Sequence, residues 1–399
     1  MSAHDNNFNL IRLYAACQVF YNHTQGRLKL PNLGDIPAIG TWVERIPASL
    51  PGVPIFFIIS GFLVTQSFLS GSGGIAGFFW RRAIRIYPGL WMHYVVILVA
   101  LGIAGAWSAA MLLGPAMWGW ILGAFFIGSD WWGNIVSHVR PFDWSGFYGR
   151  FPSGVLWTIN AELGFYLLVP IVFLPLWRKL KITWIVVIAF ALASLWFAYE
   201  VADALRNGVR GNALGFMRNQ PAPYFWIFLI GASAALFWDR IKGFFIGKFV
   251  WWLAAHAALT LVNIYAFNTP VIDYSRMPEL GIPRVLALAG FTLSLAHSFP
   301  SIGRPFQRFD LSYAIYLYHM LVVWTFLGFG LAGHWWLWLV VPPIVFAIAA
   351  ASWFLVEKPA MKLKSWNPIR SVFSGPTSRT ASPRLPNKAA GAEAMNTGM

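Results

Sequence analysis

The chain has 399 residues, of which 58% are hydrophobic and only 11% charged, and its formal net charge is +15. Soluble domains usually carry about 25% charged residues, so this composition excludes an ordinary soluble domain and predicts an integral protein of the lipid bilayer. The positive charge forms no long basic run with interleaved aromatics, so no nucleic-acid partner is expected, and the charge is interpreted as loop charge facing an anionic membrane surface.

Eleven apolar runs are long enough to be considered as membrane spans. They are 8–25, 52–70, 88–107, 111–128, 154–177, 182–201, 222–239, 249–267, 284–300, 311–331 and 334–356. Basic clusters follow the second, fifth, seventh and ninth runs, and the positive-inside rule places such clusters in the cytoplasm. Eleven crossings would put the cluster after the second run and the cluster after the fifth run on opposite sides of the membrane. The run 111–128 contains Pro115 and several glycines, so it is expected to be re-entrant or interfacial.

The predicted fold is therefore an all-α polytopic membrane protein with about ten transmembrane helices plus one re-entrant or interfacial segment. It is expected in the cell inner (plasma) membrane, with both termini and a loop over 71–87 on the cytoplasmic side. Residues 1–365 are expected to form one transmembrane domain. Residues 366–399 are polar and rich in Pro and Ser, which predicts a disordered cytoplasmic tail.

The first apolar run contains two ionisable residues, Arg12 and His23. They are eleven residues apart, close to three helical turns, so they share one helix face about 16 Å apart along the axis. Ionisable groups inside a span are costly, which favours a function, and histidine suits proton transfer near neutral pH. The alternative is that Arg12 reaches lipid phosphate and His23 merely caps a helix end.

Arg82 and Arg85 follow the second run and are three residues apart, so they meet on one helical face. Two adjacent guanidiniums suit a phosphate group. Taken alone, however, the pair is better explained as a plain topology signal.

Glu162 is the only acidic residue expected deep inside a span. It must be protonated or paired, because an unpaired carboxylate there is very costly. Asn160 and Tyr166 are possible hydrogen-bond neighbours. A structural ion pair with Arg12 or another cation is the alternative.

The tenth run carries Ser312, Tyr316 and His319 with helical spacing, so they form one polar stripe expected to face the bundle interior. The alternative is ordinary hydrogen bonding between helices. Four other histidines lie near the ends of runs and are expected at the membrane interface: His93, His256, His297 and His334. No cluster has the spacing of metal ligands, so neither a metal nor a bound cofactor is expected.

Together, six segments in chain order resemble signatures of the membrane acyltransferase 3 family. These are Arg12 with His23, Phe57-Ile-Ile-Ser-Gly-Phe-Leu, Arg82-Ala-Ile-Arg85 with Ile86-Tyr-Pro88, Trp157-Thr-Ile-Asn-Ala-Glu162 with Phe165-Tyr166, Ser312 to His319, and Glu357-Lys-Pro359. The resemblance covers roughly residues 5–365. One departure is Asn160-Ala-Glu162-Leu, where many members carry a second acidic residue, so this site is expected to hold a single carboxylate.

The resemblance implies an enzyme that transfers acyl groups other than aminoacyl groups. Members O-acylate sugars of bacterial surface and secreted glycans, and sometimes antibiotics or signalling molecules. By this resemblance the donor substrate is acyl-CoA, and the acceptor is a hydroxyl of a glycan or lipid-linked glycan. Acetyl is the default acyl group, which implies O-acetylation of a polysaccharide such as lipopolysaccharide or exopolysaccharide.

The resemblance also implies roles for the selected residues. Arg82 and Arg85 would hold the CoA phosphates, and Arg12 would help to hold the donor. His23 would be the general base, and Glu162 would orient a histidine or bind the acceptor. Tyr316 and His319 are expected to contact substrate.

A transporter or flippase of a lipid-linked sugar or small anion is the alternative, since intramembrane Arg, His and Glu also suit a proton-coupled pathway. Transporters often show two related halves, and no such symmetry is visible here.

Overall fold

A computed structural model of the chain describes residues 6–30, 49–70, 74–127, 142–143, 145–148, 152–177, 182–208, 220–267, 281–307 and 309–365. These residues form helices joined by turns and irregular segments, with no strand among them. The longer α-helices are α1 Phe8–Leu28, α2 Gly52–Leu69, α3 Gly74–Ile103, α4 Pro115–Leu122, α5 Trp157–Trp177, α6 Ile182–Arg206, α7 Phe225–Leu236, α8 Phe249–Phe267, α9 Gly281–Ala296, α10 Ser312–Gly328 and α11 Leu337–Ser352. The predicted all-α fold is confirmed for this part of the chain.

Several of these helices suit a bilayer. Four described segments are long and apolar enough to cross one: Gly52–Leu69, Gly74–Ile103, Phe249–Ala266 and Leu337–Lys364. The pair Ala222–Leu236 and Trp238–Phe244, bent by 80°, counts as a fifth if it is one broken span. Shorter apolar helices of 10–17 residues occur at Pro115–Phe126, Trp157–Val172, Val187–Val201, Gly281–Ala296 and Ser312–Gly328. The protein is thus a multi-pass membrane protein, and the number of about ten spans stays a prediction.

The long helix α3 corrects one expectation. Residues 74–87 were expected in a loop, but they form the first half of this 30-residue helix. At about 1.5 Å per residue the helix measures about 45 Å, more than the roughly 30 Å hydrocarbon core. Its basic first half can therefore extend beyond the core. The helix continues through Pro88, which removes one backbone donor but leaves the helix intact.

The segment predicted to be re-entrant or interfacial is divided into short pieces. A 3₁₀ turn at Ala109–Leu113, helix α4 and a π turn at Gly123–Ile127 follow one another. The eight residues of α4 span only about 12 Å, too short to cross alone. The segment rests on α3, because the Trp91 indole donates to the carbonyl of Phe125 at 2.8 Å.

Close helix packing forms the centre of the bundle. Helix α2 makes its most extensive contact with α7, and α1 lies against α10 and α2. Two glycines permit the first contact: a Cβ on Gly61 would collide with the Phe228 carbonyl, and one on Gly231 with the Ile58 carbonyl. Small residues allow such approach between membrane helices, where van der Waals packing replaces the hydrophobic driving force. The predicted tail, 366–399, lies outside the described residues.

Candidate active site

A cavity of about 420 Å³ lies among α1, α2, α3, α5 and α10. Five of the seven residues selected from the sequence line it: Arg12, Arg82, Arg85, Glu162 and Tyr316. Tyr166, Asp310 and Lys364 also line it. One end carries four cationic side chains from α1, α3 and the turn after α11, and these are called the cationic end: Arg12, Arg82, Arg85 and Lys364.

Asp310 is the charge partner that organises the cationic end. Its Oδ2 lies 3.1 Å from Nη1 of Arg12 and also accepts from Nη2 of Arg85. Its Oδ1 accepts from the Ser312 backbone N–H at 3.2 Å and from the Ser312 hydroxyl. One carboxylate therefore joins α1, α3 and the start of α10, and the cluster still has an excess positive charge.

The surroundings keep Asp310 ionised. Burial alone would raise the pKa of this carboxyl, but the guanidiniums of Arg12 and Arg85 outweigh that effect, so its pKa lies below its usual range. A buried carboxylate with two cationic partners and the Ser312 contacts is well satisfied. The alternative of an ion pair between Glu162 and Arg12 is thus wrong, because Arg12 pairs with Asp310.

Arg82 has other partners than Arg85. Its Nη2 donates to the Ser67 hydroxyl at 3.3 Å, and its guanidinium lies over the Tyr166 ring, 5.7 Å from the centroid. Its Nε is buried without a hydrogen-bond acceptor in the described part of the chain. Arg82 therefore lines the cavity with a guanidinium that forms no ion pair with a carboxylate in the described part of the chain.

Glu162 receives hydrogen bonds from two hydroxyl groups. The Tyr166 hydroxyl donates to Oε1, as the sequence suggested, and the Ser60 hydroxyl donates to the same atom at 3.3 Å. Neither partner is a histidine. Of the two predicted roles, acceptor binding fits this position in the cavity wall, whereas orienting a histidine has no contact to support it among the described residues.

The two predicted histidines form a direct pair. Nδ1 of His23 lies 3.0 Å from Nε2 of His319, and the rings stack with centroids 5.3 Å apart. The His319 ring meets the edge of the Tyr316 ring at 5.9 Å. Since Tyr316 lines the cavity, the histidine pair lies one side chain beyond the cavity wall.

Hydrogen bonding sets the tautomers of this pair. Nδ1 of His319 lies 3.0 Å from the Ile315 carbonyl, which can only accept, so this nitrogen carries the proton. In a neutral His319, Nε2 is then the acceptor, and Nδ1 of His23 is the donor to it. Nε2 of His23 is left with a free lone pair, and a general base needs such a nitrogen to accept a proton.

The polar stripe of α10 faces the interior, as predicted. Ser312, Tyr316 and His319 are all buried. The Tyr316 hydroxyl lies 2.6 Å from the Thr158 hydroxyl and donates to the Val155 carbonyl at 3.0 Å. The stripe thus contacts α1 through His319 and the start of α5 through Tyr316.

Two of the other histidines do not lie where the sequence placed them. His93 is buried within α3, with Nε2 2.9 Å from the Ser153 hydroxyl, and His256 is buried within α8, 2.7 Å from the Ser49 carbonyl. The expected interfacial role is wrong for both. His334 is exposed, as an interfacial residue can be. No group of three or more metal-ligating side chains occurs within the described ranges.

The amino-acid sequence is similar to a known protein family and to two named proteins. The family described as an acyltransferase domain matches residues 5–357. Nodulation protein 10 of Rhizobium leguminosarum bv. viciae is 42% identical over 369 residues, which cover 91% of this chain and 95% of that protein. The peptidoglycan O-acetyltransferase OatA of Listeria monocytogenes serovar 1/2a is 31% identical over 151 residues, 36% of this chain and 23% of that protein. No solved structure is significantly similar.

The family match spans nearly all of the residues that carry the cavity and the histidine pair. It agrees with the resemblance drawn from six short segments and with an all-helical membrane bundle. The protein is an acyltransferase, and the chain belongs to the acyltransferase 3 family.

Proposed function

We propose that this membrane O-acyltransferase moves an acyl group, by default acetyl, from acyl-CoA to a hydroxyl of a surface or secreted glycan. The observation that carries the proposal is the arrangement along α1 and α10. Helix α1 contributes Arg12 to the cationic end, where it pairs with Asp310 just before α10, and both helices contribute to the histidine pair. The two places are separated by about eleven residues of helix, or about 16 Å.

This separation suits a long donor with a charged head. Arg82 would bind CoA phosphates, because guanidiniums bind phosphate through paired, charge-assisted hydrogen bonds. The pantetheine arm would then run along the cavity towards Tyr316. Arg12 and Arg85 are already bound to Asp310, so in this proposal they shape the donor site and supply its excess positive charge.

The chemical step assigns the base to His23. Nε2 of His23 takes the proton of the acceptor hydroxyl as the oxygen attacks the thioester carbonyl. The C–S bond then breaks, the new ester C–O bond remains, and the CoA thiolate takes the proton back from His23. His319 holds His23 in the tautomer that leaves Nε2 free.

Glu162 is assigned to the acceptor. A carboxylate whose Oε1 already accepts from Tyr166 and Ser60 keeps Oε2 for a sugar hydroxyl. The name of the Listeria relative, a peptidoglycan O-acetyltransferase, supports both an acetyl group and a glycan acceptor for this protein.

The proposed location is the inner membrane, with both termini and the cationic end in the cytoplasm, where acyl-CoA is available. Labelling of single cysteines tests this in a variant whose native Cys17 is replaced by Ser. A Cys at Asn207, exposed after α6, should react with a reagent added outside. A Cys at Ser72, outside the described residues, should not. The reverse pattern would place the cationic end on the wrong side for the donor.

Two measurements test the function itself. Purified protein in a phosphate-free detergent should transfer label from acetyl-CoA to glycan extracted from cells that lack the gene. Mass spectrometry of glycans from cells with and without the gene should show a difference of one ester group. Membership of an acyltransferase family favours this function over the transporter or flippase that the buried Arg, His and Glu alone left open. Unchanged glycan masses together with no use of acetyl-CoA would refute the proposal.

A further inference from the structure

The cationic end has more positive charge than its carboxylates can neutralise. Four cations line this part of the cavity, and the acidic side chains that line it are Asp310 and Glu162. Asp310 is occupied by Arg12 and Arg85. Even with both carboxylates ionised, the lining carries an excess of two positive charges, and one remains if Glu357, which acts on Arg85 from outside the lining, is ionised as well. Such an excess beside apolar walls favours an anion as the occupant.

The fourth cation, Lys364, comes from the turn Lys362–Ser365, which follows α11. A hydrogen bond fixes this turn to α3, because the Trp80 indole N–H donates to the Leu363 carbonyl at 2.9 Å. Trp80 lies two residues before Arg82, and Leu363 directly precedes Lys364. The bond therefore brings Lys364 to the side of the cavity where Arg82 lies, and the charges of Arg85, Arg82 and Arg12 act on it.

Lys364 also differs from its neighbours in its ion pairing and in its exposure to solvent. No ion pair joins it to a carboxylate in the part of the chain that the structure describes. Lys362, two residues earlier, is exposed and does not line the cavity, whereas Lys364 is half-buried and does. Holding an ammonium beside three guanidiniums is unfavourable by itself, and a bound phosphate would reverse that penalty.

We propose that Lys364 binds a phosphate of the acyl donor together with Arg82, so that the turn Lys362–Ser365 completes the donor site. The proposal rests on the proposed function, since it takes the donor to be acyl-CoA. It assigns a role to a segment close to the C-terminal boundary of the bundle, beyond the last residue of the family match. The ligand is a phosphate or diphosphate group, which a lipid headgroup could also supply.

The test compares two donors that differ in phosphate. Purified full-length protein in a phosphate-free detergent is assayed with acetyl-CoA and with S-acetyl-pantetheine, which lacks the phosphates. Lys364→Gln should raise KM for acetyl-CoA about tenfold, since a charge-assisted contact of this kind is worth about one decade in affinity. With S-acetyl-pantetheine the variant and the wild type should have the same KM. Lys364→Arg should stay close to wild type, and the matched control Lys362→Gln should change neither donor.

Equilibrium binding of free CoA, measured without turnover, separates the possible failures. If the wild type binds CoA and Lys364→Gln binds it equally well, the role of Lys364 is wrong while the proposed function stands. If the variant raises KM equally for both donors, Lys364 acts on the shape of the cavity and not on phosphate. If added phospholipid abolishes the difference between variant and wild type, the phosphate is a lipid headgroup. If the wild type neither binds CoA nor uses acetyl-CoA, the proposed function itself fails.

Discussion

Nδ1 of His23 lies 3.0 Å from Nε2 of His319, and the two imidazole rings are parallel to within 10°. The residues are 296 positions apart in the chain and meet because α1 and α10 pack side by side. The Ile315 carbonyl fixes the proton on Nδ1 of His319. Nε2 of a neutral His319 is then an acceptor, so the proton between the two rings lies on Nδ1 of His23. Nε2 of His23 is therefore the nitrogen of the pair whose lone pair is free to accept a proton.

The first prediction concerns His23 itself. His23→Ala should lower kcat by at least about 100-fold, because a positioned general base contributes about 10² to 10⁴. The side chain is only half-buried, so expression, membrane insertion and thermal unfolding of the purified protein should stay near wild type. Activity at the wild-type level in a well-inserted His23→Ala protein would rule out its role as the base.

A second prediction separates two roles for His319. If it positions His23, His319→Ala should lower kcat and leave KM for the donor unchanged. His319→Gln should recover part of the loss, because its amide oxygen can accept from Nδ1 of His23. If His319 instead contacts substrate, as the sequence suggested, KM should rise in both variants with little rescue by Gln. Steady-state kinetics at varied donor and acceptor concentrations make the comparison.

The sequence predicted much of this site because the signals are local. Arg12 and His23 are separated by three helical turns, and the structure places both towards α10. The polar spacing of Ser312, Tyr316 and His319 predicted a buried stripe, and all three are buried. Periodicity of this kind needs no knowledge of the tertiary fold.

What the sequence could not give is the pairing between distant segments. Asp310 lies directly before an apolar run, where an acidic residue looks like an ordinary helix-end residue, and only the fold brings it to Arg12 and Arg85. The spacing of Asp310 and Ser312, whose N–H donates to Oδ1 of Asp310, is a local feature and does not indicate the two arginines. Similarly, Lys364 belongs to a cluster of basic residues near the chain end that the positive-inside rule explains without a cavity. The arginines in the first half of α3 interrupt the apolar pattern, so the sequence predicts a loop where the structure has a helix.

The ion-pair cluster predicts a stability effect. Asp310→Asn would leave Arg12 and Arg85 without their carboxylate, and removing one member of a buried ion pair costs on the order of 3 kcal/mol. Thermal unfolding in detergent should therefore occur at a lower temperature. Combining Asp310→Asn with Arg85→Gln should cost less than the sum of the two single changes, because the residues are in contact. Strict additivity would mean that the pair contributes no coupling.

The close contact between α2 and α7 predicts a second effect on stability. Gly61→Ala would place a methyl group against the Phe228 carbonyl, which must move the helices apart and should destabilise the fold by about 1–3 kcal/mol. The matched control is Gly119→Ala in α4, where a Cβ meets nothing within 4 Å. It should be neutral or slightly stabilising, since Ala favours helix over Gly. Equal losses in both variants would contradict the packing argument.

The last prediction separates donor binding from topology at Arg82. Arg82→Gln should raise KM for acyl-CoA far more than KM for the acceptor, because this guanidinium lines the cavity and forms no ion pair with a carboxylate among the described residues. Arg82→Lys should rescue only partly, since an ammonium supplies charge without the planar fork that binds phosphate through two hydrogen bonds. Arg81→Gln is the matched control: Arg81 is adjacent, donates to the Ser67 carbonyl at 3.2 Å and does not line the cavity.

Arg85 is less suitable for this test, because its bond to Asp310 mixes a stability effect into any change there. In the Arg82/Arg85 double variant, Gln at both positions should therefore lower both donor affinity and the unfolding temperature. Lys at both should restore the fold more completely than the donor affinity. A topology signal counts positive charge without regard to shape, so full rescue of donor KM by Lys would reduce the two arginines to topology markers. The phosphate site would then have to lie elsewhere in the cavity.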